Sequence, residues 1–484
     1  MEQTNFEQYI ENAGLEAKSH QTDAVAWMVE REKNEFEGVR GGIIADEMGL
    51  GKTIMMIGTM LANFQQRTLV VLPLALLKQW DTEIKRTTGH ASLVYHGATK
   101  AQTTMAMLKT APVVLTTYGE ISRSDDPLTS SRIPSILHEI DWDRVIFDEA
   151  HHMRNKASST KKSSQKFVGG RSIRAPLRWM ITGTPVQNRM SDIYALFEVL
   201  GFKNTVRPDE FTDTCMLRRT KEDVGIYISK KVVENIEVSW KDSDEEELAR
   251  DVHSLIPGNS SHGTSTEFTD ALLDSYNLGG MNTNFKTMVM LQRARQMCVY
   301  PPLMKAKLEE LMEDGFLLDE DHIAREAMVA SSKLDAVCDK ILERKDNDNN
   351  KIVFCHYKME IDEIQRRISE EGLDVQVIDG RTKKTERQGI LTGKCDVLIL
   401  QIQTGCEGLN LQQFNEVYFV TPHWNPAVED QAVARCHRIG QQKPVYIFKF
   451  SMVGTDEEML SKTLDAHVKV YQGAKRELYS LKKW

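Results

Sequence analysis

Short apolar runs bounded by glycine, proline or polar clusters recur along the chain and alternate with stretches of helical periodicity, the pattern of parallel sheets covered on both faces. In the first half the runs are Gly42–Ala45, Thr68–Leu72, Ser92–Tyr95, Val113–Thr117, Arg144–Phe147 and Arg178–Ile181. In the second half they are Lys351–Cys355, Val375–Ile378, Cys395–Gln401, Glu416–Val420 and Val445–Phe450. Each set is enough for one α/β lobe. Between them the pattern changes. Lys241 to Asp251 reads as an acidic helix start with Ser243 and Glu246 at capping-box spacing, and Ile256 to Thr266 is too polar and glycine-rich to pack. The expected organisation is an N-terminal lobe over 1–235, a mainly helical insertion over 236–330 and a C-terminal lobe over 331–484. At roughly 150 residues per domain, two or three domains suit this length. Two lobes joined by a hinge imply a cleft, where ligands usually bind.

The densest chemistry lies in Gly42 to Asn63, GIIADEMGLGKTIMMIGTMLAN, an apolar strand feeding a glycine loop that opens into a helix. The loop Asp46, Glu47, Met48, Gly49, Leu50, Gly51 must turn sharply and point backbone N–H groups inward, as phosphate binding requires. Lys52 supplies a point charge to the β- and γ-phosphates, and the Thr53 hydroxyl is placed to ligate Mg²⁺. The strict P-loop pattern asks for glycine where this chain has Asp46, and an ordinary strand–turn–helix with a solvated lysine is the competing reading. A second strand, Val145-Ile146-Phe147, ends in Asp148-Glu149-Ala150-His151, two adjacent carboxylates at the sheet edge where open α/β folds bind ligands. Asp148 suits Mg²⁺ held through water, and Glu149 suits polarising the water that attacks a γ-phosphate. Thr182-Gly183-Thr184-Pro185 follows the next strand as a candidate coupling turn. In WNPAVEDQAVARCHRIGQ, from Trp424 to Gln441, residues Gln431, Arg435 and Arg438 recur at i, i+4 and i+7, which predicts one helical face. Guanidinium groups on such a face match phosphate, and a second lobe that supplies them completes a site only on closure.

Charge narrows the partners. The formal net charge of −9 gives no global field toward nucleic acid, so any such contact is local. From His151 to Arg178 the chain has no acidic residue, while Arg154, Lys156, Lys161, Lys162, Lys166, Arg171, Arg174 and Arg178 are basic. That segment is a candidate phosphate-gripping footprint, with a solvated loop as the alternative. A second basic cluster, Arg218-Arg219-Thr220-Lys221, reads as structural, linking the lobes. The seven cysteines, Cys215, Cys298, Cys338, Cys355, Cys395, Cys406 and Cys436, include no C-x-x-C pair, which speaks against zinc modules and for core thiols in a reducing compartment. The start of the chain lacks signal-peptide character, and the longest apolar run, Leu69 to Leu77, falls far short of the ~20 residues that cross a bilayer. A soluble intracellular protein without membrane contact is expected.

The set DEMGLGKT, DEAH, TGTPVQN, MLRRTKEDV, GCEGLNL and WNPAVEDQAVARCHRIGQ resembles the SNF2 family of superfamily 2 ATPases, in the family's order across nearly the whole chain. Further matches are Val70-Val71-Leu72-Pro73 with Trp80, Thr116-Thr117-Tyr118 and Asp379-Gly380-Arg381. WNPAVEDQ and DEAH look most similar to the Rad5/Rad16-like branch, whose usual RING module this chain lacks, so ubiquitin-ligase activity is not carried over. The resemblance implies two RecA-like lobes and an ATP-driven motor on duplex DNA that remodels or displaces bound protein. Nucleosomes, polymerase or other DNA-bound proteins are the implied targets, in a nuclear or viral replication compartment. It assigns Gln21 to adenine, Lys52 and Thr53 to phosphate and Mg²⁺, Asp148 and Glu149 to metal binding and water activation, and Arg435 and Arg438 to arginine fingers. It also makes Asp46 normal at its position. Departures are Thr404, Cys406 and Glu407 around Gly405 and Gly408, where the Glu407 carboxylate would repel a DNA phosphate, and His356 where a polar amide is common. A strand-separating DEAH helicase and a nucleotide-switched scaffold are the alternatives. The intact Glu149 and the Gln431, Arg435, Arg438 set argue against the scaffold.

Overall fold

The computed structural model describes residues 18–124, 135–153, 164–183, 191–203, 207–256, 283–315, 328–402, 409–454 and 463–480, with scattered positions before residue 18. The chain divides into two compact units, the first running to Tyr227 and the second from Ile228 to Leu478.

The first unit is built on a seven-stranded sheet of β1 (Arg40–Ile44), β2 (Thr68–Leu72), β3 (Leu93–Tyr95), β4 (Val113–Thr117), β5 (Arg144–Asp148), β6 (Leu177–Ile181) and β7 (Met216–Leu217). Their order is β3-β4-β2-β5-β6-β1-β7, and every pairing is parallel. Both faces are buried because alternate residues point opposite ways: Ile43, Val71, Val145 and Phe147 join one apolar core, and Ile44, Val70, Ile146 and Ile181 join the other. The parallel order sets the carboxyl ends of β5, β6 and β1 side by side. The Asp148-Glu149, Thr182-Gly183 and Asp46–Lys52 segments therefore leave the sheet from three adjacent strands.

The second unit carries a six-stranded parallel sheet of β8 (Lys231–Ser239), β9 (Lys351–Cys355), β10 (Val375–Ile378), β11 (Val397–Gln401), β12 (Glu416–Phe419) and β13 (Val445–Val453), in the order β10-β11-β9-β12-β13-β8. Strand β8 departs from the sequence expectation. It spans the expected boundary at 235/236 and pairs along its whole length with β13, Lys231 opposite Val445 through Ser239 opposite Val453. As an edge strand with mostly exposed side chains it lacks the continuous apolar run that marks its neighbours. Helices of the expected insertion, Ser243–Ser254, Thr283–Val299 and Lys305–Glu313, send Leu248, Val252, Met297, Leu308 and Leu311 into the same core as Val353, Tyr418 and Phe448 of the sheet. The cap of the first of these helices is Asp242, not Ser243, and its carboxylate accepts from the N–H groups of Asp244 and Glu245. The cysteines at 215, 298, 338, 355, 395 and 436 are buried thiols, and Cys406 lies outside the described residues. No helix among the described residues is long and apolar enough to cross a membrane.

Candidate functional site

The loop after β1 turns through Gly49 and Gly51 at φ of 95° and 89°, a left-handed conformation that glycine adopts without strain. A Cβ on Gly51 would stand 2.4 Å from Gln21 Nε2, so besides straining the turn it would push the Gln21 amide aside. The helix Lys52–Ala62 starts directly after the turn and buries Met55, Met56 and Ile57. Its first N–H groups and its dipole thus face the loop. From the helix Ser19–Lys33, His20 Nε2 and Gln21 Nε2 both lie 3.1 Å from the Leu50 carbonyl. Burial holds the His20 imidazole below its ordinary pKa. Lys52 Nζ donates to the carbonyls of Asp46 at 2.7 Å and Glu47 at 3.2 Å. Glu47 and Leu50 spend their N–H groups on the Arg219 and Glu47 carbonyls. The site for an anion is therefore the Lys52 ammonium at the helix N-terminus, suited to exchange its carbonyls for phosphate oxygens.

Asp148 ends β5 inside the sheet edge. Its Oδ2 accepts from the Trp80 indole at 2.7 Å and its Oδ1 from the Glu149 N–H at 2.9 Å, while the Tyr118 hydroxyl donates to its carbonyl at 2.7 Å. Burial, followed by the neighbouring charge of Glu149, pushes the Asp148 carboxyl up to about 6, against the opposing effect of the Trp80 N–H. Glu149 has φ of 50°, rare for a residue with a Cβ and of a kind concentrated at functional sites. Its Oε2 lies 3.3 Å from His151 Nδ1, and the His151 ring stacks on His152 at 4.8 Å. Thr182 N–H donates to the Ile44 carbonyl at 3.0 Å, and a Cβ on Gly183 would lie 3.0 Å from Met48 and 3.8 Å from Lys52 Nζ. The first unit therefore gathers Gln21, the whole loop from Asp46 to Thr53, and the Thr182-Gly183 turn on one edge, with the Asp148-Glu149 pair at the next strand end. Thr184 and Pro185 lie outside the described residues.

Three sets of side-chain partners differ from or add to what the sequence predicts. The first is the Trp80 and Tyr118 hold on Asp148. A buried indole N–H demands an acceptor, which is the signal that could have found it. The second is Arg219 and Lys221, expected to link the lobes. They are structural within the first unit, pairing with Asp46 and Glu47 of the loop after β1. The third is the basic stretch before Arg178. Arg171 pairs with Glu198 at 2.8 Å and Arg174 with Asp141 at 2.7 Å, carboxylates supplied by other segments. Arg178 donates to the carbonyls of Ile173, Ala175 and Val199, and burial pushes it down to about 10. These three arginines are committed within the unit. Lys166 Nζ stands 3.5 Å from His152 Nδ1, and Arg154, Lys156, Lys161 and Lys162 lie outside the described residues.

In the second unit, the helix Pro426–Cys436 is capped by the Asn425 side chain on the Ala427 N–H at 3.2 Å. Ala432 and Val433 pack into the core, Gln431 is buried and Arg435 sits in the last turn. The expected single face breaks at Arg438. The helix stops at Cys436 because His437 takes φ of −94° and ψ of 80°, so Arg438 follows on the loop beyond. It still lies near Arg435: burial first, then the Arg435 charge, lowers its pKa. His356 is buried against His423 with ring centroids 5.8 Å apart, and burial drives its pKa well down. Residues 403–408, which include Thr404 and Glu407, lie outside the described residues.

The SNF2-related domain matches residues 20–214, and the helicase conserved C-terminal domain matches residues 332–440. The chain belongs to the SNF2 family. This SNF2-family chain is 27% identical to a probable global transactivator of Orgyia pseudotsugata multicapsid polyhedrosis virus, over 92% of this chain and 88% of that protein. It is also 27% identical to transcription termination factor 2 of Drosophila melanogaster, over 94% of this chain but only 57% of that longer protein. The crystal structure of the Pyrococcus furiosus Hef helicase domain covers 95% of this chain and 98% of its own with a TM-score of 0.54 and 16% identity, a likeness of fold. Both SNF2-family sheets are accordingly RecA-like, and the chain is an ATP hydrolase of the helicase-like type.

Proposed function

We propose that this chain is an ATP-dependent translocase on double-stranded DNA that remodels or displaces protein–DNA complexes, without separating the strands. The observation that carries the reading is the convergence of Lys52, the Thr182-Gly183 turn and the Asp148-Glu149 pair on adjacent parallel strand ends in a SNF2-family chain.

In this reading the nucleotide enters beside Gln21, and its β- and γ-phosphates take the Lys52 ammonium from the Asp46 and Glu47 carbonyls. Glycines at 49 and 51 allow the close approach this needs. Thr53 and Asp148 would hold Mg²⁺, which when bound supplies neutralisation of phosphate charge. The fit rests on Asp148, a buried carboxylate whose present donors are neutral groups. Glu149 orients the attacking water and accepts its proton. Arg435 and Arg438 keep the arginine-finger role that the family resemblance implies, with Gln431 kept as a candidate from their shared spacing. Nucleosomes, a polymerase or other DNA-bound proteins are the proposed targets.

The deciding experiment is ATP hydrolysis by the purified chain alone, with duplex DNA, with single-stranded DNA and with RNA, beside a strand-release assay. Strong stimulation by duplex with no released strand is expected. Stimulation confined to single strands or RNA, with strand release, would replace the proposal by the strand-separating helicase. Lys52→Ala and Glu149→Gln are each expected to abolish turnover while the chain stays folded, and retained hydrolysis in either would remove that residue from the site.

A further inference from the structure

Strand β7 pairs with β1 at Ile43 opposite Met216 and Ile44 opposite Leu217. The ladder does not stop where the strands do. Ala45 N–H donates to the Leu217 carbonyl at 2.7 Å and Glu47 N–H to the Arg219 carbonyl at 2.8 Å, so residues 217–219 run alongside the first half of the phosphate loop. Side chains then repeat the match. The Asp46 carboxylate, fully buried, accepts from the Arg219 N–H at 2.9 Å, from Nε at 3.3 Å and from Nη2 at 2.6 Å. The Glu47 carboxylate accepts from the Lys221 N–H at 2.8 Å and from its ammonium. Arg219 Nη1 also donates to the His20 carbonyl at 2.7 Å, and His20 is one of the two side chains that meet Leu50 at the far end of the loop.

We propose that Arg219 and Lys221 are positioning residues for ATP binding: they hold Asp46 and Glu47, whose carbonyls carry Lys52, and they cancel two negative charges at the mouth of a polyphosphate site. This rests on the reading of the Lys52 loop as the ATP site. It also accounts for a carboxylate where the P-loop pattern has glycine. An uncompensated Asp46 beside the phosphates would repel them, whereas a guanidinium fork engaging both carboxylate oxygens neutralises that charge and fixes the backbone. Lysine cannot reproduce the fork, because an ammonium is a point charge.

The test measures KM for ATP and kcat in Arg219→Gln, Arg219→Lys, Lys221→Met and the pair Asp46→Asn with Arg219→Gln, together with each melting temperature. Arg219→Gln is expected to raise KM by about tenfold or more, equivalent to one lost charge-assisted contact. Arg219→Lys is expected to fall between it and the parent, and the paired variant to recover much of the loss because no buried charge is left over. If Arg219→Gln does not fold, Lys221→Met on the half-exposed Glu47 keeps the question open to measurement, with an expected KM rise of about threefold. A lowered melting temperature with unchanged KM in the folded variants would overturn the proposal and leave the two residues purely structural. Lys52→Ala, run in parallel, separates the two failures. If it still hydrolyses ATP, the site reading fails; if it is inactive while Arg219→Gln keeps the parental KM, only the positioning role fails.

Discussion

Asp46 and Asp148 stand at the ends of β1 and β5, separated in the sheet by β6 alone, and both are buried. Their partners differ. Asp46 faces the guanidinium of Arg219, whereas Asp148 faces the Trp80 indole and a backbone N–H, both neutral, with the charge of Glu149 beside it. A carboxylate matched to a cation inside the fold is already satisfied and acts by fixing the loop it belongs to. One oriented by neutral donors, with the Lys52 ammonium acting on it only as the weakest of its influences, keeps most of its charge unmatched and so retains a use for an incoming cation. Depth of burial does not separate the two roles; the charge of the partner does.

The sharpest way to break that contrast is to neutralise each carboxylate at constant shape. Asp148→Asn is expected to cut ATP turnover by about a thousandfold, the scale lost when a preorganised group at the developing charge is removed. Its stability cost at pH 7 should be confined to the one N–H, of Trp80 or Glu149, that must then face the amide nitrogen, about 1–3 kcal/mol. The Asp148 pKa, raised to about 6, means the folded chain holds this proton more tightly than the unfolded chain. The stabilisation from protonation is therefore complete at low pH and lost as pH rises through about 6, and the amide keeps a permanently neutral group there. A loss of stability larger than this for Asp148→Asn would contradict this account. Asp46→Asn should act first on stability. It strands Arg219 beside an amide and is expected to cost about 3 kcal/mol of stability, read as a shifted denaturation midpoint. A variant as stable as the parent would show that the pair contributes little.

The same contrast explains what could be read along the chain. Strands β2, β4, β9 and β10 match the expected runs residue for residue: β2, β4 and β9 are buried along almost all their length and so are written as apolar segments, and the edge strand β10 keeps buried apolar ends at Val375 and Ile378. Strand β8 carries mostly exposed side chains at a sheet edge, and β7 is two residues long, so neither leaves that signature. Lys52 and Asp148 were legible because a glycine loop or a carboxylate pair directly follows an apolar run. The bond from Arg219 to Asp46 joins residues 173 positions apart, and that from Trp80 to Asp148 joins residues 68 apart. Such pairings are made by the fold, and local periodicity carries no trace of them. Arg438 shows the opposite limit: spacing extended a helix that His437 ends one residue earlier.

Trp80→Phe tests the smaller half of the comparison, because it keeps an aromatic ring in the core and removes only the N–H that orients Asp148 Oδ2. If a divalent cation is the charge that Asp148 awaits, the freed carboxylate should need about tenfold more Mg²⁺ for half-maximal ATPase activity, the low end of the loss seen when a group supporting a metal ligand is deleted. Acidity gives an independent readout. Activity at limiting Mg²⁺ should fall as pH drops through about 6, where Asp148 takes up its proton. The indole N–H favours the ionised form, so its loss moves that acid limb to higher pH, while saturating Mg²⁺ moves it lower by favouring the same form. A Trp80→Phe enzyme with lower stability but the parental Mg²⁺ requirement and acid limb would make the indole a packing residue. Asp148 would then owe its orientation to the backbone N–H of Glu149 and the left-handed turn that follows β5.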